Sequence, residues 1–160
     1  MLVYHGSNQE VHRPRLIQQN RYLDFGYGFY TTLNREQAVS FSRKVVKRRG
    51  GNSIVSIYEI DEEHIYDELK ILKFDGADEK WLDFVFENRT GKYAGEKYDC
   101  IYGPVANDDV YQTFAAYMAG LLNKEQALES LKVKKLYDQM VFATEKALGH
   151  LRFRESFTVE

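Results

Sequence analysis

Short strand-like and helix-like segments alternate along this chain in an irregular order, and that order constrains the fold more than any other feature of the sequence. Apolar, β-branched or aromatic runs bounded by turn residues predict strands at residues 2–5, 29–31, 53–60, 69–74, 98–102, 139–142 and 151–153. Helical patterns lie between some of these runs but do not repeat as regular β–α–β units. We therefore predict an α+β fold with largely antiparallel strands.

The clearest of the predicted helices runs from Asn34 to about Arg49. Asn34 is a good N-cap, and Gln37 three residues later completes a capping-box pattern. Gly50 and Gly51 follow the last apolar residues and end the helix. Similar signals predict further helices that start after Asp78, after Asn107 and at residues 125–131.

Length, charge and cysteine content limit the class of protein. With 160 residues and 44% hydrophobic content, the chain is long enough for one folded domain, residues 1–160, and too short for two. The net charge of −2 gives no general attraction to nucleic acid or to an anionic membrane. The single cysteine, Cys100, cannot form an intramolecular disulfide, which fits a reducing compartment. No apolar run reaches about 18 residues and no signal-peptide pattern is present, so we expect a cytoplasmic protein with no membrane partner.

Several reactive side chains have both a structural and a functional interpretation. The basic run 43–49 lies near a helix C-terminus, where the helix dipole favours cations; the alternative is a patch that binds polyanions. Asp108 and Asp109 fall in the first turn of a predicted helix, where they stabilise it, and the alternative is a pair of substrate-binding carboxylates. Cys100 lies within a strand pattern, which indicates a core residue rather than a nucleophile. The histidines show no metal-ligand spacing, so we expect no metal site.

Three short segments each place one polar side chain on an apolar strand edge. They read YHGS at residues 4–7, GYGFYTT at 26–32 and YDQMVF at 137–142. A further aromatic residue, Phe41, follows Tyr30 by eleven positions and falls on the first predicted helix. The polar stretch 8–24 is long for a loop in a compact domain, and loops of that length are usually functional.

Together these motifs resemble the His, Tyr and third-residue strands of the diphtheria-toxin and poly(ADP-ribose) polymerase class of ADP-ribosyltransferases. The resemblance lies in the order and spacing of the segments and covers residues 2–46 and 136–154. The stretches YHGS…DFGYGFYTT and YGPVANDDVY also resemble a bacterial family of domains of unknown function within this superfamily. The resemblance implies split antiparallel β-sheets with flanking helices and an NAD cleft between the sheets.

The resemblance also assigns roles at the nicotinamide end of NAD, which is bound as a co-substrate. His5 would hydrogen-bond a hydroxyl of NAD, and Gly6 would offer backbone groups to the carboxamide while its missing side chain leaves room. Tyr30 and Phe41 would stack on the two faces of the nicotinamide ring, which is worth about 0.5–1.5 kcal/mol per ring pair. Two further positions correspond to family contacts with the adenosine half: Ser7 and Arg21.

The third motif departs from the family pattern, because Gln139 stands where the family has glutamate. Glutamine keeps an acceptor for the ribose but has no charge to offset the oxocarbenium-like state in which the nicotinamide–ribose bond breaks. Losing such an electrostatic partner typically costs about 10²–10³ in rate. The departure argues against polymer formation and favours single ADP-ribose transfer or no catalysis. The alternative is a shifted strand register in which Asp138 or Glu145 supplies the carboxylate.

From this resemblance we expect an NAD-dependent mono-ADP-ribosyltransferase that modifies a macromolecular acceptor, either protein or nucleic acid. Its catalytic residues would be His5, Tyr30 and Gln139, with no metal. This activity is compatible with the toxin of a bacterial toxin–antitoxin system, in which case a cognate antitoxin protein is a partner. The alternatives are a catalytically silent NAD-binding or protein-interaction domain of the same fold, and an NAD glycohydrolase.

Overall fold

The computed structural model describes residues 1–17, 23–106 and 108–160. Within these ranges the strands are β1 (Leu2–Ser7), β2 (Phe29–Thr32), β3 (Ile54–Glu59), β4 (Ile71–Lys73), β5 (Cys100–Pro104), β6 (Asp138–Phe142) and β7 (Arg152–Thr158). The helices are α1 (Arg35–Arg49), α2 (Glu62–Glu68), α3 (Glu79–Arg89), α4 (Asp108–Met118), α5 (Lys124–Lys132) and α6 (Glu145–Leu148). The predicted α+β class is confirmed.

The strands form one mixed sheet in the order β4-β5-β6-β2-β1-β3-β7. Every pair is antiparallel except β4 with β5, as the sequence predicted in the main. The prediction of split sheets is wrong, because the strands form one sheet. Its two parts are joined where Tyr4 of β1 lies opposite Thr32 of β2. Elsewhere β1 pairs with β3 and β2 pairs with β6, so the sheet consists of two halves that are barely joined.

Apolar side chains cover both faces of this sheet. The first face carries one continuous cluster that includes Val3, Phe29, Tyr58, Met140 and Phe142. On the second face, α1 buries Ala38 and Val39 against β3, whereas α3 and α4 bury Trp81 and Phe114 against β5 and β6. Helix α1 therefore covers one half of the second face and helices α3 and α4 cover the other, with space between them.

Helix α1 begins and ends where the sequence predicts. The Oδ1 atom of Asn34 accepts a hydrogen bond from the backbone N–H of Gln37 at 2.8 Å, and Gly50 leaves the helix at a φ of 78°. The helix packs so closely on β1 that a Cβ atom on Gly6 would lie 2.1 Å from the carbonyl oxygen of Ala38. The missing side chain of Gly6 thus makes room for α1 and not, as the sequence suggested, for a ligand.

Strand β6 sets the position of Gln139. This residue lies opposite Thr32 of β2 and Gly103 of β5, and its side chain is buried. Successive residues of a strand face opposite sides, and Asp138 accordingly points to the first face, where it contacts Tyr102. The shifted register that would bring Asp138 to the position of Gln139 is therefore excluded.

Candidate functional site

A cavity of about 760 Å³ lies where the two halves of the sheet separate, with α1 on one side and the ends of α3 and α4 on the other. Its volume is within the range of small-molecule and cofactor sites. The residues that the sequence predicted as site residues line it, and these are His5, Gly6, Ser7, Tyr30, Phe41 and Gln139. Arg21, predicted to contact the adenosine half of NAD, lies outside the described residues.

His5 links β1 to β2 next to Tyr4 and Thr32, the pair of residues at which these two strands are in register. Its Nδ1 atom lies 2.7 Å from the carbonyl oxygen of Tyr30, and because a carbonyl only accepts, Nδ1 carries the proton. The ring also stacks on Phe29, with the centroids 4.3 Å apart. Burial lowers the pKa of His5 from its usual 6.5, although the hydrogen bond to Tyr30 opposes this effect. The ring is therefore neutral at pH 7, and its Nε2 atom is an acceptor.

Tyr30 lines the cavity, and its hydroxyl is bonded to the backbone of the turn at residues 25–26. The hydroxyl accepts a hydrogen bond from the backbone N–H of Phe25 at 2.9 Å and donates one to the carbonyl oxygen of Gly26 at 2.6 Å. Burial, and to a smaller extent the nearby Asp24 carboxylate, raise the pKa of Tyr30 well above 10.0. The phenol stays protonated, and its contribution is to hold the turn at residues 25–26 against β2.

One stripe of α1 forms a wall of the cavity. The stripe consists of Gln37, Phe41, Lys44 and Arg48, which are spaced by four, three and four residues and share one side of the helix. The Phe41 side chain is 42% exposed, which is high for a large apolar group. Its exposed face borders the cavity, so a planar ligand can stack on it.

A buried ion pair adjoins Gln139. Asp24 accepts a hydrogen bond at Oδ1 from Arg89 Nε at 2.6 Å, and the same oxygen lies 2.5 Å from Arg89 Nη2. At Oδ2 it accepts from the backbone N–H of Ala106 at 3.0 Å and lies 3.5 Å from Gln139 Nε2. Gln139 Nε2 is also 3.5 Å from the carbonyl oxygen of Pro104. Asp24 and Arg89 were not predicted as site residues, because they are 65 residues apart and no local pattern connects them.

Cationic side chains surround the outer part of the cavity. Among the described lining residues these are Arg13, Arg15, Lys44, Arg48 and Arg49. Glu10 is the acidic side chain that lines the same region. Two members of the basic run on α1, Arg43 and Lys47, do not line the cavity. The run therefore combines charges that suit the C-terminal end of the helix with charges that suit an anionic ligand.

Cys100, another reactive group noted in the sequence, does not line this cavity. Cys100 lies in the core, where burial raises its pKa to about 12, which confirms it as a structural residue. The side chains of Asp108 and Asp109, and the predicted cap Asn107, lie outside the described part of the structure. Over the described ranges, no cluster of His, Cys, Asp and Glu is suited to hold a metal ion, and no helix is both long and apolar enough to cross a membrane.

The fold and the cavity define the class as an α+β protein with a cavity between two barely joined halves of a mixed sheet. Comparison with protein families gives a match over residues 1–153 to a family described as "Protein of unknown function (DUF3990)". The chain belongs to this family. No curated protein and no solved structure matches the chain. Since the family description names no activity, the function is argued below from the site.

Proposed function

We propose that the cavity binds NAD and that the protein transfers ADP-ribose from NAD to a macromolecular acceptor. One observation carries the proposal: His5, Tyr30 and Gln139, from three separate strands, line one cavity together with Phe41 of α1. These are the positions that the resemblance to the ADP-ribosyltransferases assigns to NAD. Gln139 is in register with both β2 and β5, so its place in the cavity depends on two strand pairs.

The inner part of the cavity suits the nicotinamide riboside end of NAD. The rings of Tyr30 and Phe41 offer two stacking surfaces, and His5 Nε2 can accept a hydrogen bond from a ribose hydroxyl because Nδ1 already donates to Tyr30. In the proposed reaction, the bond between ribose C1′ and the nicotinamide nitrogen breaks and its electron pair leaves with nicotinamide. A lone pair of the acceptor forms the new bond to C1′, and the proton of the acceptor passes to solvent.

The outer part of the cavity suits the diphosphate of NAD. Arg13, Arg15, Arg48 and Arg49 are exposed cations that line it, in a chain whose net charge is −2. Guanidinium groups bind phosphate oxygens with paired, charge-assisted hydrogen bonds. The aromatic inner part of the cavity matches the nicotinamide ring with its ribose, and the cationic outer part matches the anionic phosphates that follow.

The test is to follow two isotope labels of NAD, one on nicotinamide and one on adenine, during incubation with the protein and cell extract. The proposal predicts release of nicotinamide together with transfer of the adenine label to protein or nucleic acid. His5→Ala should abolish both, whereas His64→Ala is the matched control because His64 is exposed on α2 outside the cavity. Unfolding curves of both variants exclude loss of fold as the cause.

Each alternative function gives a different distribution of the two labels. Free ADP-ribose with no labelled macromolecule would indicate an NAD glycohydrolase. Binding of NAD without release of nicotinamide would indicate a silent NAD-binding domain. If the protein neither binds nor cleaves NAD at millimolar concentration, the proposal is refuted.

A further inference from the structure

The amide of Gln139 has a defined orientation. Its Nε2 atom lies 3.5 Å from Asp24 Oδ2 and 3.5 Å from the carbonyl oxygen of Pro104. Both neighbours are hydrogen-bond acceptors, so the NH₂ group must face them, and the reversed amide would bring oxygen against oxygen. The amide is therefore held with its nitrogen towards Asp24.

The oxygen of the same amide is directed to the cavity. No described residue donates a hydrogen bond to Gln139 Oε1, and no buried side-chain oxygen or nitrogen in the described part of the chain lacks a partner. Oε1 is therefore in contact with the open space that Gln139 lines. It offers a ligand the same acceptor that a glutamate would have supplied.

Asp24 places negative charge on the side of Gln139. Two nitrogens of Arg89 contact Oδ1, whereas Oδ2 accepts a hydrogen bond from the backbone N–H of Ala106 and faces the Gln139 amide. The negative end of the ion pair is therefore directed towards Gln139. Because the Asp24 carboxylate is buried, salt and solvent screen its field much less than they would at the surface.

We propose that Asp24 and Gln139 together replace one glutamate. Gln139 Oε1 accepts a hydrogen bond from a sugar hydroxyl, while Asp24 orients the amide and supplies the negative charge. Asp24 is a positioning residue, since it reaches the ligand through Gln139. The inference rests on the proposed function for the identity of the sugar as the ribose of NAD. It accounts for the glutamine at this position, because the missing charge is present on the neighbouring segment instead.

Exchange of the two side chains tests the pairing. Asp24→Asn removes the charge and lets the Gln139 amide turn, so NAD cleavage at saturation should fall about ten-fold or more. The double variant Asp24→Asn/Gln139→Glu keeps one carboxylate and one amide but exchanges their places, and it should recover most of the lost rate. Asp138→Asn is the matched control, because Asp138 precedes Gln139 on the same strand but lies outside the cavity. It should cleave NAD at the wild-type rate.

A second measurement is independent of NAD. In Gln139→Glu the introduced carboxyl would lie next to the Asp24 carboxylate, since the amide nitrogen that it replaces is 3.5 Å from Oδ2. The like charge should raise the pKa of the introduced carboxyl above the ordinary glutamate value of about 4.3. In the double variant that charge is absent, so the pKa should be lower by about one unit or more. Carboxyl carbon NMR during a pH titration reports both values.

Two results would overturn the pairing while the proposed function stands. One is full cleavage by a folded Asp24→Asn variant. The other is a double variant that is folded and binds NAD but cleaves it no faster than Asp24→Asn does. If its unfolding temperature recovers while its cleavage rate does not, the pair of Asp24 and Gln139 has a purely structural role. If the wild type cleaves no NAD, the proposed function fails, and the NMR titration decides the pairing. Equal pKa values of the introduced carboxyl in the single and double variants would then refute it.

Discussion

The protonation state of His5 gives the proposed site a defined pH dependence. A protonated ring would donate from both nitrogens and would lose the Nε2 acceptor. Because burial lowers the pKa of His5 in the folded protein, the ring is neutral at and above about pH 6.5, the ordinary histidine value. We expect the affinity for NAD to be constant above this pH and to weaken as the pH falls through the lowered pKa. Calorimetric titrations between about pH 8 and pH 5 measure this dependence.

The variant His5→Gln is the control for this pH profile. It keeps a hydrogen-bonding side chain without a titrating ring, so its weaker affinity should not change over the same range. The lowered pKa also affects folding: its contribution to stability is present above the unfolded value of about 6.5 and is lost as the pH falls through the folded value. Circular dichroism must therefore confirm native protein at each pH. The same profile in wild type and His5→Gln would assign the titration to another group.

Tyr30 should contribute to stability through its hydroxyl and to binding through its ring. Tyr30→Phe leaves the N–H of Phe25 and the carbonyl of Gly26 without their side-chain partner. We expect this change to lower the free energy of unfolding by about 1–3 kcal/mol, while NAD affinity in the folded protein stays within a few-fold of wild type. Urea unfolding and NAD titration measure the two effects. Tyr27→Phe is the matched control, because Tyr27 is exposed and lies outside the cavity, and it should change neither.

Among the elements, those with local signals could be predicted from the sequence. Helix α1 was predicted from Asn34 and Gln37 at its start and Gly50 at its end, and the structure has these caps. The position of β6 was predicted because a run of apolar residues follows Gln139, and the alternation of a strand then gives the side on which that residue lies. Helix caps and strand alternation involve residues only a few positions apart, so they can be recognised in a single sequence.

The sequence did not predict features that depend on distant residues or on weak periodicity. Helix α2 (Glu62–Glu68) buries only Ile65 among its residues, too little to form an apolar stripe, although Asp61 is its N-cap. The pair of Asp24 with Arg89 joins a loop to the end of α3, and nothing near either residue indicates the other. The link between the sheet halves at Tyr4 and Thr32 is likewise a tertiary contact. These features arise from packing between elements.

The stripe of α1 allows a test of the cationic part of the cavity. Arg48→Glu reverses a charge that lines the cavity, whereas Lys47→Glu makes the same change of net charge on an adjacent residue that does not line it. We expect Arg48→Glu to weaken NAD binding about 3- to 10-fold at low salt and Lys47→Glu to change it much less. The difference should shrink as salt screens the exposed charges. Equal effects of both variants would show that α1 acts only through its general charge.

In the whole molecule, the two halves of the sheet are joined at one register position of β1 and β2. A ligand in the cavity would therefore lie across the gap between the two halves. A ligand that contacts His5 on β1 and Tyr30 on β2 should hold these strands together. We expect NAD to slow backbone amide exchange at residues 5–7 and 29–30, and to leave the edge strand β7 (Arg152–Thr158) largely unchanged. Hydrogen-exchange mass spectrometry with and without NAD measures this difference. Equal protection in β7 would indicate general stabilisation and not a ligand in the gap.

Calorimetric titration of two ligands tests our proposal that the nicotinamide ring of NAD stacks on Phe41 in this cavity. Phe41→Ala should weaken NAD binding roughly ten-fold but leave ADP-ribose, which lacks nicotinamide, nearly unaffected. Tyr66→Ala, at an exposed aromatic residue of α2 outside the cavity, should bind both ligands as wild type does. Wild-type protein that binds no NAD at millimolar concentration, or equal NAD affinities of Phe41→Ala and Tyr66→Ala, would contradict the claim.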